Sequence, residues 1–340
     1  MKIIVLLFLC FSRQVSAGDI IFINSFEPSL NLISEIPPFT LNNPNATFYQ
    51  DVAYGEYTRN VFDIFLPPHQ GMSSLVIYIH GGGFTSGDKS SRYTSKGFQS
   101  LINQMLSVNI AFATINYRLL EDNDLDGVLK SLNDSKRALQ FMKYHANVLN
   151  LNKDKVLLMG SSAGAGTSLW LAFSDDMALG NSTDGVLNES SRVQGLICLS
   201  TQSSYDLLEW HNSTFFEYQN QGFDFETVRN LLTEDVLYQF YGISNDTELF
   251  SVAIQQDRLK LDMLALLSND DPEFYLSNSN HAYVFPITSG ELLHHPLHSK
   301  ALMDKAMMVN VPSVIYLPTL GIDTRNGESI FEFIYRKIGN

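Results

Sequence analysis

The sequence is poor in cysteine: its 340 residues include two, Cys10 and Cys198. Residues 1–17 have the pattern of an export signal, with a basic residue, a short apolar core and a small-residue cleavage site. Removal of this segment would leave Cys198 as a single thiol in an apolar run, which excludes an internal disulfide. We therefore expect a secreted or periplasmic chain that depends on its hydrophobic core for stability.

Basic residues are also scarce, because 22 Lys and Arg stand against 36 Asp and Glu, for a formal net charge of −14. An acidic surface repels phosphate backbones and anionic lipids, which argues against nucleic acid as a partner. After residue 17, no apolar run is long enough for a membrane helix, so no membrane span is expected.

The chain does contain a short apolar run that breaks into a glycine- and serine-rich turn. Lys155 to Met159 has the length of a buried parallel strand, Gly-Ser-Ser-Ala-Gly occupies 160–164, and residues 168–173 form an apolar helical run. This order is typical of a nucleophile elbow, in which the central Ser162 projects its hydroxyl from a strained turn. The alternative is an ordinary turn between a strand and a helix.

A second glycine run, His-Gly-Gly-Gly-Phe at 80–84, follows the apolar strand predicted at 75–79. Acyl transfer places negative charge on a carbonyl oxygen, and backbone N–H groups that are already in position stabilise it. We expect Gly82, Gly83 and Ala163 to supply these donors as an oxyanion hole. A phosphate-binding loop is the alternative, but the sequence has neither GxGxxG nor Gly-Lys-Ser/Thr.

Strands and helices alternate along the chain, which predicts a mostly parallel α/β sheet with helices on both faces. Predicted strands lie at 57–67, 75–79, 110–117, 155–159, 193–201, 274–276 and 313–317, and predicted helices at 95–108, 127–150, 168–173, 296–309 and 328–338. Residues 203–270 are helical and aromatic-rich and do not follow this alternation. We interpret residues 18–340 as one α/β domain in which 203–270 form a cap insertion.

With these motifs, the chain resembles α/β-hydrolases of the HGGG-type carboxylesterase group, near its feruloyl-esterase-like and hormone-sensitive-lipase-like branches. The similar segments are VAYGEYTRNVFDIFLP, YIHGGGFTSGDK, INYRL and MGSSAGAG, all within about residues 52–172. The resemblance implies an α/β-hydrolase fold and hydrolysis of a small-molecule ester with Ser162 as nucleophile. It also implies that no metal and no organic cofactor takes part.

The chain departs from this group where the catalytic histidine belongs. The fold places its triad in the order Ser, acid, His, with the histidine after the last strand, but the loop at 321–327 contains none. We therefore expect the base to come from the cluster of His294, His295 and His298, with His294 preferred. A metal site in this cluster is disfavoured, because no carboxylate or cysteine spacing supports it.

The expected acid is Glu291, which follows the predicted strand at 274–276, and Asp206 is the alternative. Glu291 could equally be a solvated loop carboxylate. Two functions stay open: an exported serine carboxylesterase, or a non-catalytic hydrolase-fold protein that keeps the pocket for binding. Only the esterase needs a histidine within reach of Ser162, and the oxyanion donors favour it because binding alone does not require them.

Overall fold

The computed structural model describes residues 30, 32–68, 71–121, 125–279 and 281–339. The chain divides into a unit of residues 1–31 and a unit of residues 32–340, and the second unit is the one described below. The predicted export signal at 1–17 lies outside the described residues.

Within the described residues, one sheet of nine strands forms the centre of the fold. The strands are β1 Thr47–Ala53, β2 Val61–Leu66, β3 Ser73–Ile79, β4 Ile110–Ile115, β5 Leu151–Ser161, β6 Gly195–Leu199, β7 Phe274–Ser277, β8 Ser313–Leu317 and β9 Ile322–Asp323. Their order across the sheet is β1-β2-β4-β3-β5-β6-β7-β8-β9. The strands from β4 to β8 run parallel, and β1, β2 and β9 are antiparallel to their neighbours. The predicted fold class is confirmed.

Helices cover both faces of the sheet. The α-helices of the described residues are α1 Lys96–Ser107, α2 Gly127–Tyr144, α3 Ala163–Phe173, α4 Phe225–Leu232, α5 Glu234–Tyr241, α6 Asp246–Leu249, α7 Val252–Leu261, α8 Met263–Leu266, α9 Ser289–Leu293, α10 Pro296–Val309 and α11 Ile330–Ile338. Side chains of α1 and α11 share a buried cluster with Val76 and Tyr78 of β3. Leu75 and Ile77 alternate with these and point to the opposite face, which α2 and α3 cover. Every residue of β3 and β4 is buried, as expected for strands covered on both sides.

The segment between β6 and β7 consists of helices α4 to α8 and two 3₁₀ turns at Leu207–Glu209 and Phe216–Gln221. Helix α5 contacts α2, α4 contacts α9, and α8 contacts α3. This helical segment therefore packs against helices outside it at several points. It is called the cap segment below.

Element boundaries differ from the predictions in a few places. Helix α2 ends at Tyr144 and β5 begins at Leu151, because the chain turns between them and Asn150 adopts a left-handed conformation with φ 52°. Strand β1, Thr47–Ala53, is not among the predicted strands. It pairs with the edge of the sheet through β2, and this long-range contact has no local pattern.

None of the helices in the described part of the chain combines the length and the apolarity that a bilayer crossing requires.

Candidate active site

The backbone at Ser162 has the strain expected of a nucleophile elbow. Strand β5 ends at Ser161, α3 begins at Ala163, and Ser162 between them has φ 52° and ψ −124°, a conformation costly for any residue with a side chain. The Ser162 N–H donates to the Leu199 carbonyl at 2.9 Å, and its own carbonyl accepts from the Gly166 N–H at 3.0 Å. Neighbouring elements thus hold the strained residue in place.

The two glycines that flank the elbow are required by close approach. A Cβ atom on Gly160 would lie 2.2 Å from the Gly164 carbonyl oxygen, and one on Gly164 would lie 2.0 Å from the Ile79 carbonyl oxygen. Both distances are far below a van der Waals contact, so any side chain at either position would force β5, α3 and β3 apart.

The glycine loop after β3 lies directly against the elbow. A Cβ on Gly81 would lie 3.1 Å from the Cβ of Ser162. Gly82 and Gly83 follow with φ of 117° and 62°, in the left-handed region that favours glycine. In the described part of the chain, the N–H groups of Gly82, Gly83 and Ala163 donate to no other group. They are available for an oxygen bound beside Ser162.

The imidazole of His80 packs against this glycine loop. It is buried, stacks on the ring of Tyr117, and its Nδ1 lies 2.7 Å from the Gly81 carbonyl oxygen. Burial lowers the pKa of His80 to about 4, so the ring stays neutral at ordinary pH. Its ring contacts the glycine loop, Arg59 and Tyr117, which fits a residue that orients the loop.

The structure brings His294 to Ser162. The Ser162 hydroxyl and His294 Nε2 are 2.8 Å apart, and His294 Nδ1 lies 3.2 Å from the Gly290 carbonyl oxygen. Because a carbonyl oxygen can only accept, Nδ1 carries the proton and Nε2 is free to accept the Ser162 hydroxyl proton. This is the tautomer that a general base requires.

Burial is the main cause that lowers the pKa of His294 from its ordinary value of 6.5, and the neighbouring His281 adds to it. The hydrogen bond to the Gly290 carbonyl acts in the opposite direction. The ring is therefore neutral, and able to accept a proton, at neutral pH.

The structure does not place the Glu291 carboxylate on His294, so the expected Ser–acid–His connection through this residue is wrong. The carboxylate accepts the backbone N–H groups of Ile287 and Thr288 at 2.9 and 3.0 Å, and the Thr288 hydroxyl at 3.1 Å. These bonds form a capping box at the start of α9, in which the Thr288 hydroxyl accepts the Glu291 N–H. The Thr-x-x-Glu spacing was a visible local signal for this role.

The alternative acid, Asp206, is also occupied elsewhere. Its carboxylate forms two hydrogen bonds with the Arg258 guanidinium, at 2.7 and 3.1 Å, on the cap segment. In the described residues, no carboxylate is hydrogen-bonded to His294. The backbone carbonyl of Gly290 takes the position that a triad acid would occupy.

The other two histidines of the cluster have structural contacts. His295 Nδ1 accepts the Leu297 N–H and its Nε2 donates to the Val284 carbonyl, as the N-cap of α10. His298 is fully buried; its Nδ1 accepts a hydrogen bond from the Ser203 hydroxyl, and its Nε2 donates to the Leu292 carbonyl. Burial lowers the pKa of His298 to about 3. Neither ring faces Ser162.

Two residues that the sequence analysis missed contact His294. The ring of His281 stacks on it, with centroids 4.9 Å apart and planes 22° from parallel. The side-chain amide of Asn278 donates to the His294 carbonyl at 2.7 Å. Both residues follow β7, and the carboxyl ends of parallel strands meet at one edge of a sheet. That position was the available signal, but nothing in their types indicated a role.

A pocket of about 340 Å³ opens at Ser162 between the glycine loop, the cap segment and α9. Its lining includes the large apolar side chains Phe84, Tyr205, Leu207, Trp210, Leu231, Leu232, Val236, Phe240 and Leu293, and no charged residue. Other aromatic residues of the cap segment lie outside this lining: Phe215, Tyr218 and Phe223 pack on one another and on His295. The pocket therefore suits an uncharged, apolar group.

In the part of the chain that the structure describes, no three His, Cys, Asp or Glu side chains come together in a way that could hold a metal ion.

Comparison with protein families gives a match to the BD-FAE family model over residues 62–284. The matched stretch contains the glycine loop and the elbow at Ser162, and His294 lies beyond it.

Curated relatives match a shorter part of the chain. A probable isoprenylcysteine alpha-carbonyl methylesterase of Arabidopsis thaliana is 27% identical over 161 residues, which is 47% of this chain and 31% of that protein. The isoprenylcysteine alpha-carbonyl methylesterase of the same plant is 25% identical over 118 residues, 34% of this chain and 25% of that protein. The chain thus matches about a third or less of the length of these relatives.

Solved structures of esterases share the fold. A bifunctional GH43-CE protein of Bacteroides eggerthii has a TM-score of 0.58 at 18% identity, covering 86% of this chain and 38% of the other. A carbohydrate esterase from gut microbiota has a TM-score of 0.55 at 15% identity, covering 79% and 86%. Esterase B of Lactobacillus rhamnosis has a TM-score of 0.52 at 18% identity, covering 81% and 75%.

Proposed function

Because the chain belongs to the BD-FAE family, we propose that it hydrolyses carboxylic esters, with Ser162 as nucleophile and His294 as general base. One observation carries the proposal: the hydroxyl of Ser162, on a strained elbow, lies 2.8 Å from an imidazole nitrogen in the accepting tautomer. A serine hydroxyl is a poor nucleophile without such a base.

The chemistry follows from the positions of three groups. As Ser162 Oγ attacks the ester carbonyl carbon, its proton passes to His294 Nε2, and the carbonyl π electrons move to the oxygen. The free N–H groups of Gly82, Gly83 and Ala163 stabilise the resulting oxyanion. When the intermediate collapses, the alcohol leaves with the proton from His294, and an acyl group stays on Ser162. Water then repeats the sequence and releases the acid.

The proposed substrate is a small, neutral ester with an apolar acyl or alcohol group. The pocket beside Ser162 has apolar walls and no charged lining residue. An anionic group buried there would lose its hydration without a compensating partner. The net charge of −14 further disfavours anionic substrates.

A fluorophosphonate probe, which traps an activated serine, tests the mechanism directly. We expect labelling of the wild type and of Ser161→Ala, and none of Ser162→Ala. His294→Ala should label at least about 100-fold more slowly, the lower range of a general base's contribution. Labelling of Ser162→Ala, or normal labelling of His294→Ala, would contradict the assignment.

Glu291→Gln separates the capping role from a catalytic one. Since the carboxylate contacts no imidazole, hydrolysis of a short p-nitrophenyl ester should stay within about threefold of the wild type, whereas losing a triad acid costs roughly 10⁴-fold. A wild-type protein that is folded but neither labels nor hydrolyses esters would favour the alternative, a binding protein with the pocket of a hydrolase.

Two further parts of the proposal concern location and domain organisation. Export rests on the signal-like segment at 1–17, and finding the mature N-terminus near residue 18 in culture medium or periplasm would support it. An intact precursor in the cytoplasm would contradict the export proposal.

The cap role of residues 203–270 is supported by their helical content and by their share of the pocket lining, from Tyr205 to Phe240.

A further inference from the structure

The base of this site has a second histidine on one face of its ring. His281 and His294 stack with ring centroids 4.9 Å apart and planes 22° from parallel. His294 touches Ser162 and Gly290 along its edge, so the stacked ring occupies a face that the hydrogen bonds leave open. The contact with His281 therefore limits rotation of His294 out of its plane, which neither hydrogen bond does well.

Asn278 connects the two histidines. Its side chain is fully buried; the Nδ2 group donates to the His294 carbonyl at 2.7 Å, and Oδ1 lies 2.9 Å from His281 Nδ1. Donation to a carbonyl fixes the orientation of the amide, so Oδ1 must face His281 and accept its Nδ1–H. The hydroxyl of Ser200 lies 3.5 Å from the same nitrogen. The stacked ring is thus itself anchored by a buried side chain.

A triad carboxylate holds the base in the correct tautomer and orientation and stabilises the imidazolium that forms. In the described residues no carboxylate does this for His294. The Gly290 carbonyl oxygen lies 3.2 Å from His294 Nδ1 and selects the tautomer. Gly290 is only four residues before His294 in the chain. The nearby His298 ring is buried and bonded to Ser203 and Leu292, so it does not restrain the orientation of His294. None of these contacts therefore accounts for how the plane of the His294 ring is held.

We propose that His281 is a positioning residue for the base: its ring, anchored by Asn278, holds the plane of the His294 imidazole so that Nε2 points at Ser162. The inference rests on the proposed esterase function. It assigns to a stacked histidine part of the work that a carboxylate performs in a triad.

The stacked ring does not stabilise the charged state of the base. Burial and the neighbouring His281 both lower the pKa of His294, so the contribution of the stacked ring is to the orientation of the base and not to the stability of the imidazolium. The anchored Nδ1–H of His281 bonds to an amide oxygen and does not compete for the Ser162 proton.

The test compares ring removal with ring retention. His281→Ala and His281→Asn remove the ring, and we expect kcat for a short p-nitrophenyl ester to fall about 10- to 100-fold with KM nearly unchanged, since a misplaced base costs this much. The fluorophosphonate labelling rate should fall by the same factor. His281→Phe retains a flat ring for stacking, so it should recover most of the loss. His145→Ala, a histidine at the end of α2, is the matched control.

Thermal midpoints of all variants show whether each is folded. The inference is overturned if either ring-removing variant is folded and labels at the wild-type rate, or if folded His281→Phe is as slow as His281→Ala. A rise in KM without a change in kcat would also overturn it, because it would make His281 a binding residue. A wild-type protein that does not label would instead refute the esterase proposal, which separates the two failures.

Discussion

Ser162 has a backbone conformation that residues other than glycine rarely adopt, with φ 52° and ψ −124°. The cost of such a residue is of the order of 1–3 kcal/mol, and it persists only where the surroundings enforce it. Here β6 enforces it through the Leu199 carbonyl, and the bare glycines at 160 and 164 leave the necessary space. The elbow therefore depends on Gly160 and Gly164, where even alanine, a small change at most positions, would not fit.

The glycine loop allows a matched prediction at this scale. A Cβ on Gly82 would lie 2.2 Å from the Ser86 carbonyl oxygen, whereas one on Gly83 meets only the Thr85 hydroxyl, at 3.9 Å. Gly82→Ala must therefore displace the loop, and kcat should fall by about two orders of magnitude, the usual loss for a misplaced oxyanion donor. Gly83→Ala, strained but not blocked, should lose much less.

Steady-state kinetics of both variants on the same ester would check this difference. Equal losses would show that left-handed strain, common to both glycines, outweighs the steric contact with Ser86.

The lowered pKa of His294 predicts the acid limb of the pH profile. The base must be neutral, and its pKa lies below the ordinary 6.5 through burial and the neighbouring His281. As pH falls, kcat/KM should therefore decline with its midpoint below pH 6.5, because that ratio reports the free enzyme. Initial rates from pH 4 to 8 would measure it. A decline centred above 6.5 would mean that another group controls activity.

At the scale of elements, helix α9 and the loop before it perform two tasks within a few residues. The capping box of Thr288 and Glu291 starts the helix, and His294 at its C-terminal end reaches Ser162. His295 then begins α10 as its N-cap. Adjacent residues of similar type thus have different roles, because a helix end points successive side chains in different directions.

The cap segment predicts substrate size selectivity. Val236 on α5 lines the pocket and is partly exposed, so Val236→Trp should fill space there. We expect kcat/KM for a p-nitrophenyl ester with a long acyl chain to fall at least about tenfold, while the acetate ester is little affected, since one pocket contact is worth about 1–3 kcal/mol.

Val252→Trp, at an exposed position of α7 outside the pocket lining, is the control for this substitution. Equal changes with both esters in Val236→Trp would show that α5 does not limit the length of the bound group.

At the scale of the whole molecule, stability depends on histidines that fold in the neutral form. Burial lowers the pKa of His80 to about 4 and that of His298 to about 3. Below pH 6.5 the unfolded chain binds protons at these positions and the folded chain does not, so the free energy of unfolding decreases as pH falls. Each group can contribute up to about 1.4 kcal/mol per pH unit between 6.5 and its folded pKa.

The expected result is a thermal midpoint that falls steadily as the pH is lowered from 6.5 to 4.5. His298→Asn removes one of the two groups, so its midpoint should be lower at pH 7 but should depend less on pH. Calorimetry or circular dichroism at several pH values would measure both slopes. A variant with the wild-type slope would show that His298 is not a source of the acid sensitivity.

The sequence by itself determined the fold class, the elbow and the glycine loop. Each is encoded by contiguous residues: an apolar strand, a turn that only glycines permit, and a helix. Local signals also misled where two readings competed. The position of Glu291 after β7 suggested the acid of a catalytic triad. The Thr-x-x-Glu spacing, however, indicates a capping box at the start of a helix, and this is the role that Glu291 has.

Only the tertiary structure decided which histidine meets Ser162 and what replaces the carboxylate. His294 is 132 residues from the serine, and its contact depends on how the loop after β7 folds over the ends of β5 and β6. His281 and Asn278 contribute through the plane of one ring and the orientation of one amide. Such relations belong to side chains that converge from separate segments, and no local periodicity encodes them.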